Sequence, residues 1–283
     1  MSDRAVSVDS RLIYDVGMHL GEDTEYYLKR GFRVIAFEAN PDLVAENKKN
    51  FADAIERGEL IIVEGAIVED PSVAQVTFYV NEDSSVWGTI HADFAGRNAR
   101  LGTASRQVTV ESVDFCQCLA DFGVPYFMKI DIEGADMICL EALRSFSEKP
   151  SYISMESNKI DFSILLDEID LMAGLGYDAF KAVQQGHVPA MKIPAHSVEG
   201  NVVEHVFSKE ASGMFGSDLP GRWLSRDEVL ARYRAIFREY KMFGDATFWQ
   251  RNPVARKFLK GVTKLTGRHC PGWYDTHARH SSV

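Results

Sequence analysis

The sequence predicts an α/β fold with a doubly wound, mostly parallel β-sheet. Over the first two thirds of the 283 residues, short apolar segments typical of buried strands alternate with segments of helical periodicity. This alternation is typical of strands linked by crossover helices that cover both faces of a parallel sheet. Strands are predicted at residues 11–16, 33–37, 60–63, 75–80, 125–131, 151–155, 177–183 and 202–207, the last two as an antiparallel pair.

Helices are predicted between these strands from their end signals and their apolar spacing. Asn40 and Pro41 stand as the N-cap and first residue of one helix, and Ser112 as the N-cap of another. The helices are expected at residues 21–29, 41–51, 112–122, 135–146 and 162–173. Residues 81–105 are polar with little periodicity, which predicts a long loop.

A change of composition near residue 210 predicts two units. Residues 1–210 would form the sheet domain, and residues 211–283 a helical appendage that packs on it as a lid or as part of a substrate site. Roughly 70 residues would bury only a marginal core alone, so an independent second domain is not expected. Amphipathic helices are predicted within this appendage, followed by an irregular, aromatic-rich end at residues 271–279.

Composition and charge exclude several classes of protein. The 31 Lys and Arg against 41 Asp and Glu give a net charge of −10, and phosphates repel an acidic chain, so no nucleic-acid partner is expected. No apolar segment approaches the ~20 residues that cross a bilayer, and the N-terminus lacks the apolar core of a signal peptide. The four cysteines lack the spacing of zinc ligands. We therefore expect a cytoplasmic protein with reduced thiols and no membrane partner.

The charge is unevenly distributed along the chain. Seven basic residues and one acidic residue, Asp275, lie between Arg251 and the end. A solvated basic helix face is the favoured interpretation of this segment, and an anion-binding face is the alternative.

A glycine motif follows the first predicted strand, where that strand turns into a helix. It runs Asp15-Val-Gly17-Met-His-Leu-Gly21, and its glycines allow the backbone to pass close to a ligand. The N–H groups at the start of the helix would point at that ligand. Glu38, at the end of the next strand, is placed to bind two ribose hydroxyls.

Two cofactors compete for this pattern. A dinucleotide site would show the spacing G-x-G-x-x-G, whereas here Asp15 stands first and the two glycines are four residues apart. An acid at the first position suits a cofactor with a cationic amino group and fits pyrophosphate poorly, which favours S-adenosylmethionine over NAD. An NAD-type oxidoreductase and a non-catalytic binding protein are the alternative interpretations.

Three charged residues at alternate positions end the fourth main strand. Lys129, Asp131 and Glu133 would project to one side of that strand, at the edge of the sheet where ligands bind. We predict them as catalytic residues together with Glu156, at the end of the next strand. Asp131 or Glu133 would act as a general base or as a ligand of magnesium, whose involvement is left open. The alternative is a Lys–carboxylate network that only stabilises the turn. Three histidines are alternative bases: His19, His187 and His277.

Several sequence blocks together resemble the FkbM family of S-adenosylmethionine-dependent methyltransferases. The blocks are DVGMHLGEDT (15–24), AFEANP (36–41), EGAI (64–67), a serine pair (84–85), VESVD (110–114), KIDIEGAD (129–136) and MES (155–157). KIDIEGAD is the most specific of them, and the resemblance covers about residues 11–160. Family members commonly have Ala-Asn where this chain has Met18-His19, and Pro where it has Ala39. Neither change removes the glycines or Glu38.

The resemblance implies a Rossmann-like methyltransferase fold, with a seven-stranded sheet whose last strand is antiparallel. It also implies a cofactor site in which each residue has a role. The methionine part of the cofactor would be held by Asp15, Gly17, His19 and Gly21, with Thr24 near its carboxylate. Glu38 would bind the ribose, and the adenine would be flanked by Ala39, Ala66 and Ile67. Asp131 would lie beside the cofactor. The implied reaction is O-methylation of a hydroxyl on a small molecule or sugar.

Overall fold

Strands and helices alternate in the computed structural model, which describes residues 7–81, 88–90, 104–132, 134–158, 160–244, 247–266 and 272–283. Its strands are β1 (Val8–Val16), β2 (Arg33–Glu38), β3 (Leu60–Glu64), β4 (Ala66–Ile67), β5 (Gln75–Asn81), β6 (Ser105–Val113), β7 (Val124–Ile130), β8 (Tyr152–Glu156), β9 (Tyr177–Gln184) and β10 (Tyr274–His280). Its α-helices are α1 (Glu22–Lys29), α2 (Pro41–Asn50), α3 (Ala52–Glu56), α4 (Phe115–Phe122), α5 (Asp136–Ala142), α6 (Phe162–Gly174), α7 (Arg226–Phe243), α8 (Phe248–Arg251) and α9 (Pro253–Thr266).

Seven strands form the main sheet, in the order β3-β2-β1-β7-β8-β10-β9. The neighbouring pairs are parallel except those of β10, which runs antiparallel to both β8 and β9. The chain leaves β1 toward β2 on one side and later returns to place β7 on the other. The carboxyl ends of β1 and β7 therefore flank the crevice where ligands bind in doubly wound sheets. The predicted doubly wound, mostly parallel seven-stranded sheet with an antiparallel last strand is confirmed.

The antiparallel strand is not the one predicted from the sequence. Residues 202–207 form no strand, and the strand between β8 and β9 comes from Tyr274–His280, a segment predicted to be irregular. Its polar residues Asp275, His277 and Arg279 alternate with Thr276 and Ala278, and the pairing partners lie far away in sequence. The end of the predicted helical appendage thus belongs to the main sheet, while the boundary at residue 210 stays a prediction.

The region before the fourth main strand also differs from its prediction. Ser112 lies within β6 and does not cap a helix; α4 is capped by Asp114, whose carboxylate accepts from the Gln117 N–H at 3.0 Å. The strands β4, β6 and β5 form a separate three-stranded sheet in that order. Most of the predicted long loop, including the serine pair, lies outside the described residues.

Apolar side chains pack on both faces of the main sheet. One face buries Tyr14 and Met128 against α4 to α7. On the other face, Phe127 stacks on Phe215 with ring centroids 4.5 Å apart, so the segment after residue 207 covers the sheet there. No described helix is long and apolar enough to span a membrane.

Candidate functional site

The loop after β1 turns sharply at the carboxyl edge of the sheet. Gly17 has a φ of 88°, and a Cβ there would lie 2.0 Å from the backbone oxygen of Asp131. Gly21 has a φ of 84° and precedes the first residue of α1. His19 also adopts a left-handed conformation, with a φ of 52°. The N–H groups of Gly17 and Met18 both donate to the carbonyl of the last apolar residue of β2, at 3.1 and 2.9 Å. Only glycine fits at position 17 without strain.

Glu38 lies at the end of β2 with its carboxylate held by two backbone amides. Its Oε2 accepts from the His19 N–H at 2.9 Å, and its Oε1 accepts from the Asn40 N–H at 2.8 Å. The residue is 9% exposed, and burial raises the pKa of its carboxyl, although the two amides oppose that shift. The carboxylate is therefore fixed in one orientation on the wall of the adjacent cleft.

The cleft at this edge has a volume of about 940 Å³ and is open to solvent. One part of its wall is apolar and consists of Phe37, Ala39, Leu43, Ala66, Ile67, Phe78 and Ile90. Another part is acidic and consists of Glu22, Asp23, Glu38, Asp131 and Glu210, with Lys129 beside them. The two parts suit a ligand with a flat apolar ring at one end and a cationic group at the other.

The comparison with protein families gives a direct assignment. The model of the Methyltransferase FkbM domain family matches residues 15–179, more than half of the chain. The chain belongs to this family. The matched segment contains the loop after β1, Glu38 and Lys129, so the family's characteristic region forms the cleft.

Solved methyltransferase structures are similar to this FkbM-family methyltransferase at low sequence identity. FkbM from Methylobacillus flagellatus KT is 17% identical, with 63% of this chain and 41% of that chain covered and a TM-score of 0.39. Precorrin-6y C5,15-methyltransferase from Geobacter metallireducens GS-15 is 14% identical, with coverage of 64% and 72% and a TM-score of 0.34. An rRNA methylase from Streptococcus thermophilus is 12% identical, with coverage of 69% and 84% and a TM-score of 0.32. The sequence has no significant match among curated proteins.

Lys129 connects the loop to the sheet in this FkbM-family protein. Its Nζ donates to the Gly17 carbonyl at 2.6 Å and lies 3.2 Å from Asp15 Oδ1, 3.9 Å from Asp23 Oδ2 and 4.0 Å from Asp131 Oδ2. Burial lowers the pKa of Lys129, but the three carboxylates outweigh it and the pKa is raised. The ammonium group thus stays charged and acts as a fixed anchor of the loop, and the catalytic role expected for Lys129 stays a prediction.

Asp15 and Thr24 lie under the loop and do not reach the cleft surface. Both are fully buried, and the Thr24 hydroxyl donates to Asp15 Oδ2 at 2.6 Å. The family resemblance implied that Asp15 would hold the methionine part of the cofactor and that Thr24 would lie near its carboxylate, and both roles stay predictions. Gly21 also lies behind the cleft wall, where a Cβ would be 2.5 Å from the Phe51 ring. The remaining predicted cofactor residues all line the cleft: Gly17, His19, Glu38, Ala39, Ala66, Ile67 and Asp131.

The predicted catalytic carboxylates are only partly brought together. The Asp131 side chain is 50% exposed at the cleft. Glu156 ends β8, two strands from β1, and its register partner on β10 is Asp275. Glu133 lies outside the described residues. No group of three His, Cys, Asp or Glu side chains in the described part of the chain is placed to hold a metal ion, and a role for magnesium stays a prediction.

The three candidate histidines have different surroundings. His19 lines the cleft with its Nδ1 3.2 Å from Glu22 Oε1; burial lowers its pKa, but the contact with Glu22 outweighs this and the pKa is raised. His277 is buried within β10, where burial lowers its pKa to about 3, so it stays neutral. His187 is exposed in the 3₁₀ helix Gln185–Ala190.

Two acidic residues of the site were missed by the sequence interpretation. Asp23 is 4% exposed and accepts from the Ser212 N–H with both oxygens, at 2.9 and 3.0 Å; burial raises its pKa to about 7. Asp275 is buried, and burial together with the neighbouring Asp131 and Glu156 raises its pKa well above the usual range. Asp23 could have been found from its position in the first turn of α1. Asp275 could not, because its strand was not predicted.

Proposed function

We propose that the protein is an S-adenosylmethionine-dependent methyltransferase that transfers a methyl group to a hydroxyl of a small molecule or sugar. The observation that carries this proposal is the orientation of Glu38. Its two oxygens each accept one backbone N–H and keep lone pairs for further donors on the cleft side. Such a carboxylate matches the two hydroxyls of a ribose. The family match supports methyl transfer.

The division of the cleft wall supports the orientation of the cofactor. An adenine would lie between the small apolar residues Ala39, Ala66 and Ile67, next to Glu38. The cationic methionine end would then lie near Asp23 and the other acidic residues that line the cleft beside the loop after β1. NAD would instead place two negatively charged phosphates among these carboxylates, which would repel them. Lys129 lies in this part of the wall but already pairs with three carboxylates, so its charge would not offset that repulsion.

The chemistry requires alignment of the acceptor and removal of its proton. When bound, S-adenosylmethionine supplies the electrophilic methyl group. The Asp131 side chain is half-exposed at the cleft, and its backbone N–H donates to the carbonyl of Val16, next to Gly17. We assign its carboxylate as the base that takes the acceptor's hydroxyl proton. Lys129, 4.0 Å from Asp131 Oδ2, holds that carboxylate in place. Glu156, at the end of β8, and the buried Asp275 follow Asp131 along the strand ends. Glu156 is half-buried and would accept hydrogen bonds from further hydroxyls of an acceptor.

The charge of the cleft also supports a neutral or cationic acceptor. Phosphate groups would be repelled by the acidic residues that line it, so a polyhydroxyl compound fits better than a nucleic acid. Residues on both sides of the predicted boundary at 210 lie at the site. Glu210 lines the cleft, and the Ser212 N–H binds the buried Asp23 carboxylate of α1. We expect this segment to limit access of water during the reaction.

Calorimetry with S-adenosylhomocysteine tests the proposal. Glu38→Ala should weaken binding by about 2 kcal/mol, roughly 30-fold, because charged hydrogen bonds to the ribose are lost. Glu64→Ala is the matched control, since Glu64 is the register partner of Glu38 on β3 but its side chain is 53% exposed. The control should bind as tightly as the unchanged protein. Absence of binding to S-adenosylhomocysteine together with binding of NAD would overturn the assignment in favour of an oxidoreductase.

A further inference from the structure

The helix α9 exposes a strip of apolar side chains to solvent. Val254 is 75% exposed, Phe258 62%, Val262 37% and Leu265 89%. These positions are separated by four, four and three residues, so at 3.6 residues per turn they fall within an arc of about 80° and span about 17 Å along the axis. The apolar face of α9 continues on one side of this strip with Ala255 and Leu259, and these two residues are buried. Within the part of the chain that the structure describes, the packing of α9 therefore leaves this strip largely exposed to solvent.

Cationic side chains lie beside this strip and further around the same helix. Residues 247–266 contain five basic and no acidic residues in a chain whose net charge is −10. Lys257 and Lys264 fall next to the exposed strip, while Arg256 and Lys260 lie further around the helix. All four are exposed. Phe248 of α8, 67% exposed, adds an aromatic side chain near the start of α9.

We propose that α9 binds the surface of an anionic lipid membrane. A helix with aliphatic and aromatic residues on one exposed side and lysines beside them lies in the plane of the membrane interface, with the apolar strip inserted and the lysines on the acidic headgroups. The sequence alone favours a solvated basic face for this segment and no membrane partner. The exposure of Phe258 and Leu265 changes that interpretation, because a solvated face does not need them.

Other occupants fit this surface less well. In a symmetric pair of copies, the strip of one α9 would meet the strip of the other and bring their Lys257 and Lys264 side chains together, which is unfavourable. A nucleic acid would use the lysines but would leave the aliphatic strip in water, since bases stack on aromatic side chains and not on Val or Leu. Anionic lipid satisfies both parts of the surface at once.

Sedimentation with lipid vesicles tests the proposal with the full-length protein. The protein should co-sediment at low ionic strength with phosphatidylcholine vesicles that contain about one third phosphatidylglycerol, and much less with pure phosphatidylcholine. Added salt should weaken the binding. The variant Lys257→Glu, Lys260→Glu, Lys264→Glu should bind at least about 100-fold more weakly, since each lysine is worth about fivefold. The variant Phe258→Ser, Leu265→Ser should also lose binding.

Matched controls carry the same kinds of change at exposed positions elsewhere. Val206→Ser changes a side chain that is 87% exposed, and Lys49→Glu, Lys192→Glu, Lys209→Glu reverses three exposed lysines outside α9. Both controls should bind vesicles like the unchanged protein. All variants should keep its melting temperature and its affinity for S-adenosylhomocysteine, which separates this proposal from that of the cleft.

Four results would overturn the proposal. The first is no sedimentation of the unchanged protein with the anionic vesicles, and the second is equal loss in the controls. The third is a dimer in gel filtration that Phe258→Ser, Leu265→Ser dissociates, which would assign the strip to a second copy. The fourth is a combination of two results: RNA binding that the triple lysine variant loses, and vesicle binding that the variant Phe258→Ser, Leu265→Ser keeps.

Discussion

The Lys129 ammonium and the Asp15 carboxylate are register partners on β7 and β1, with Nζ 3.2 Å from Oδ1. From this position Lys129 also reaches up to the Gly17 carbonyl, at 2.6 Å. One buried cation therefore fixes the turn of the loop, neutralises the acids beneath it and joins the two strands that flank the cleft. The sequence also allowed a Lys–carboxylate network that only stabilises the turn. This description fits Lys129 well, but it does not account for the exposed Asp131.

Replacement of Lys129 should lower stability and cofactor affinity together. Lys129→Met leaves Asp15 and Asp23 buried without their cation, which we expect to destabilise the fold by about 3–5 kcal/mol. Denaturant unfolding and calorimetry with S-adenosylhomocysteine measure the two effects. Lys181→Met is the control, because Lys181 is also buried in the sheet but donates to the Leu219 carbonyl, away from the cleft. A control that loses cofactor affinity as strongly as Lys129→Met would contradict the role of Lys129 as the loop's anchor.

A methyl group at Gly17 should distort the cofactor loop. In Gly17→Ala the Cβ would lie 2.0 Å from the Asp131 backbone oxygen, so the loop would have to move. The alanine would also be strained, because its φ would be 88°. Gly58→Ala provides a matched control, since Gly58 has a φ of 70° but nothing within 4 Å of its would-be Cβ. We expect the control to cost about 1–2 kcal/mol of stability with unchanged affinity for S-adenosylhomocysteine. Gly17→Ala should weaken that affinity at least about tenfold; unchanged affinity would show that the loop does not contact the cofactor.

Glu168 should make stability depend on pH. Burial raises the pKa of this α6 carboxyl from 4.5 to about 8. Between these values the folded state holds a proton that the unfolded state has lost, so stability is full below about pH 4.5 and falls as the pH rises toward about 8. The slope approaches 1.4 kcal/mol per pH unit. Glu168→Gln should remove this contribution, whereas Asp167→Asn, at an exposed neighbour, should not. Equal slopes for the Glu168→Gln variant and the unchanged protein, from urea unfolding across this range, would refute the prediction.

Local sequence patterns predicted most of the sheet and the cofactor wall. The strands β1, β2, β3 and β7 each contain a short run of apolar residues, and such runs predict buried strands without knowledge of their partners. The glycine spacing and Glu38 follow directly from the same strands, because each lies at a strand end. Ala66 and Ile67 came instead from the family resemblance; both line the cleft, and their contact with the adenine stays a prediction.

Features that depend on distant pairing were not predicted. β10 alternates charged with small residues and becomes a strand only because β8 and β9 leave a gap for it. Its Asp275 was missed for that reason, and the tail was treated as an appendage. The sequence also could not predict that Asp15 and Thr24 are fully buried, because burial is a property of the packed loop.

The final prediction concerns the base. Asp131→Asn keeps the size of the side chain but cannot accept the acceptor's proton as a carboxylate does, so kcat should fall by about 10²- to 10⁴-fold. Binding of S-adenosylhomocysteine should stay nearly unchanged, because the lost interaction acts in the transition state. Asp275→Asn is the comparison: it changes a carboxyl that is buried beside Asp131 and whose pKa is raised by burial, so kcat should fall far less than in Asp131→Asn. A methyl-transfer assay with labelled S-adenosylmethionine, run once an acceptor is identified by screening hydroxylated compounds, measures kcat for both variants. If Asp131→Asn lowers thermal stability and cofactor affinity while kcat at saturation stays the same, Asp131 only stabilises the turn. Glu156→Gln would then identify the base, since its carboxylate is the next along the strand ends.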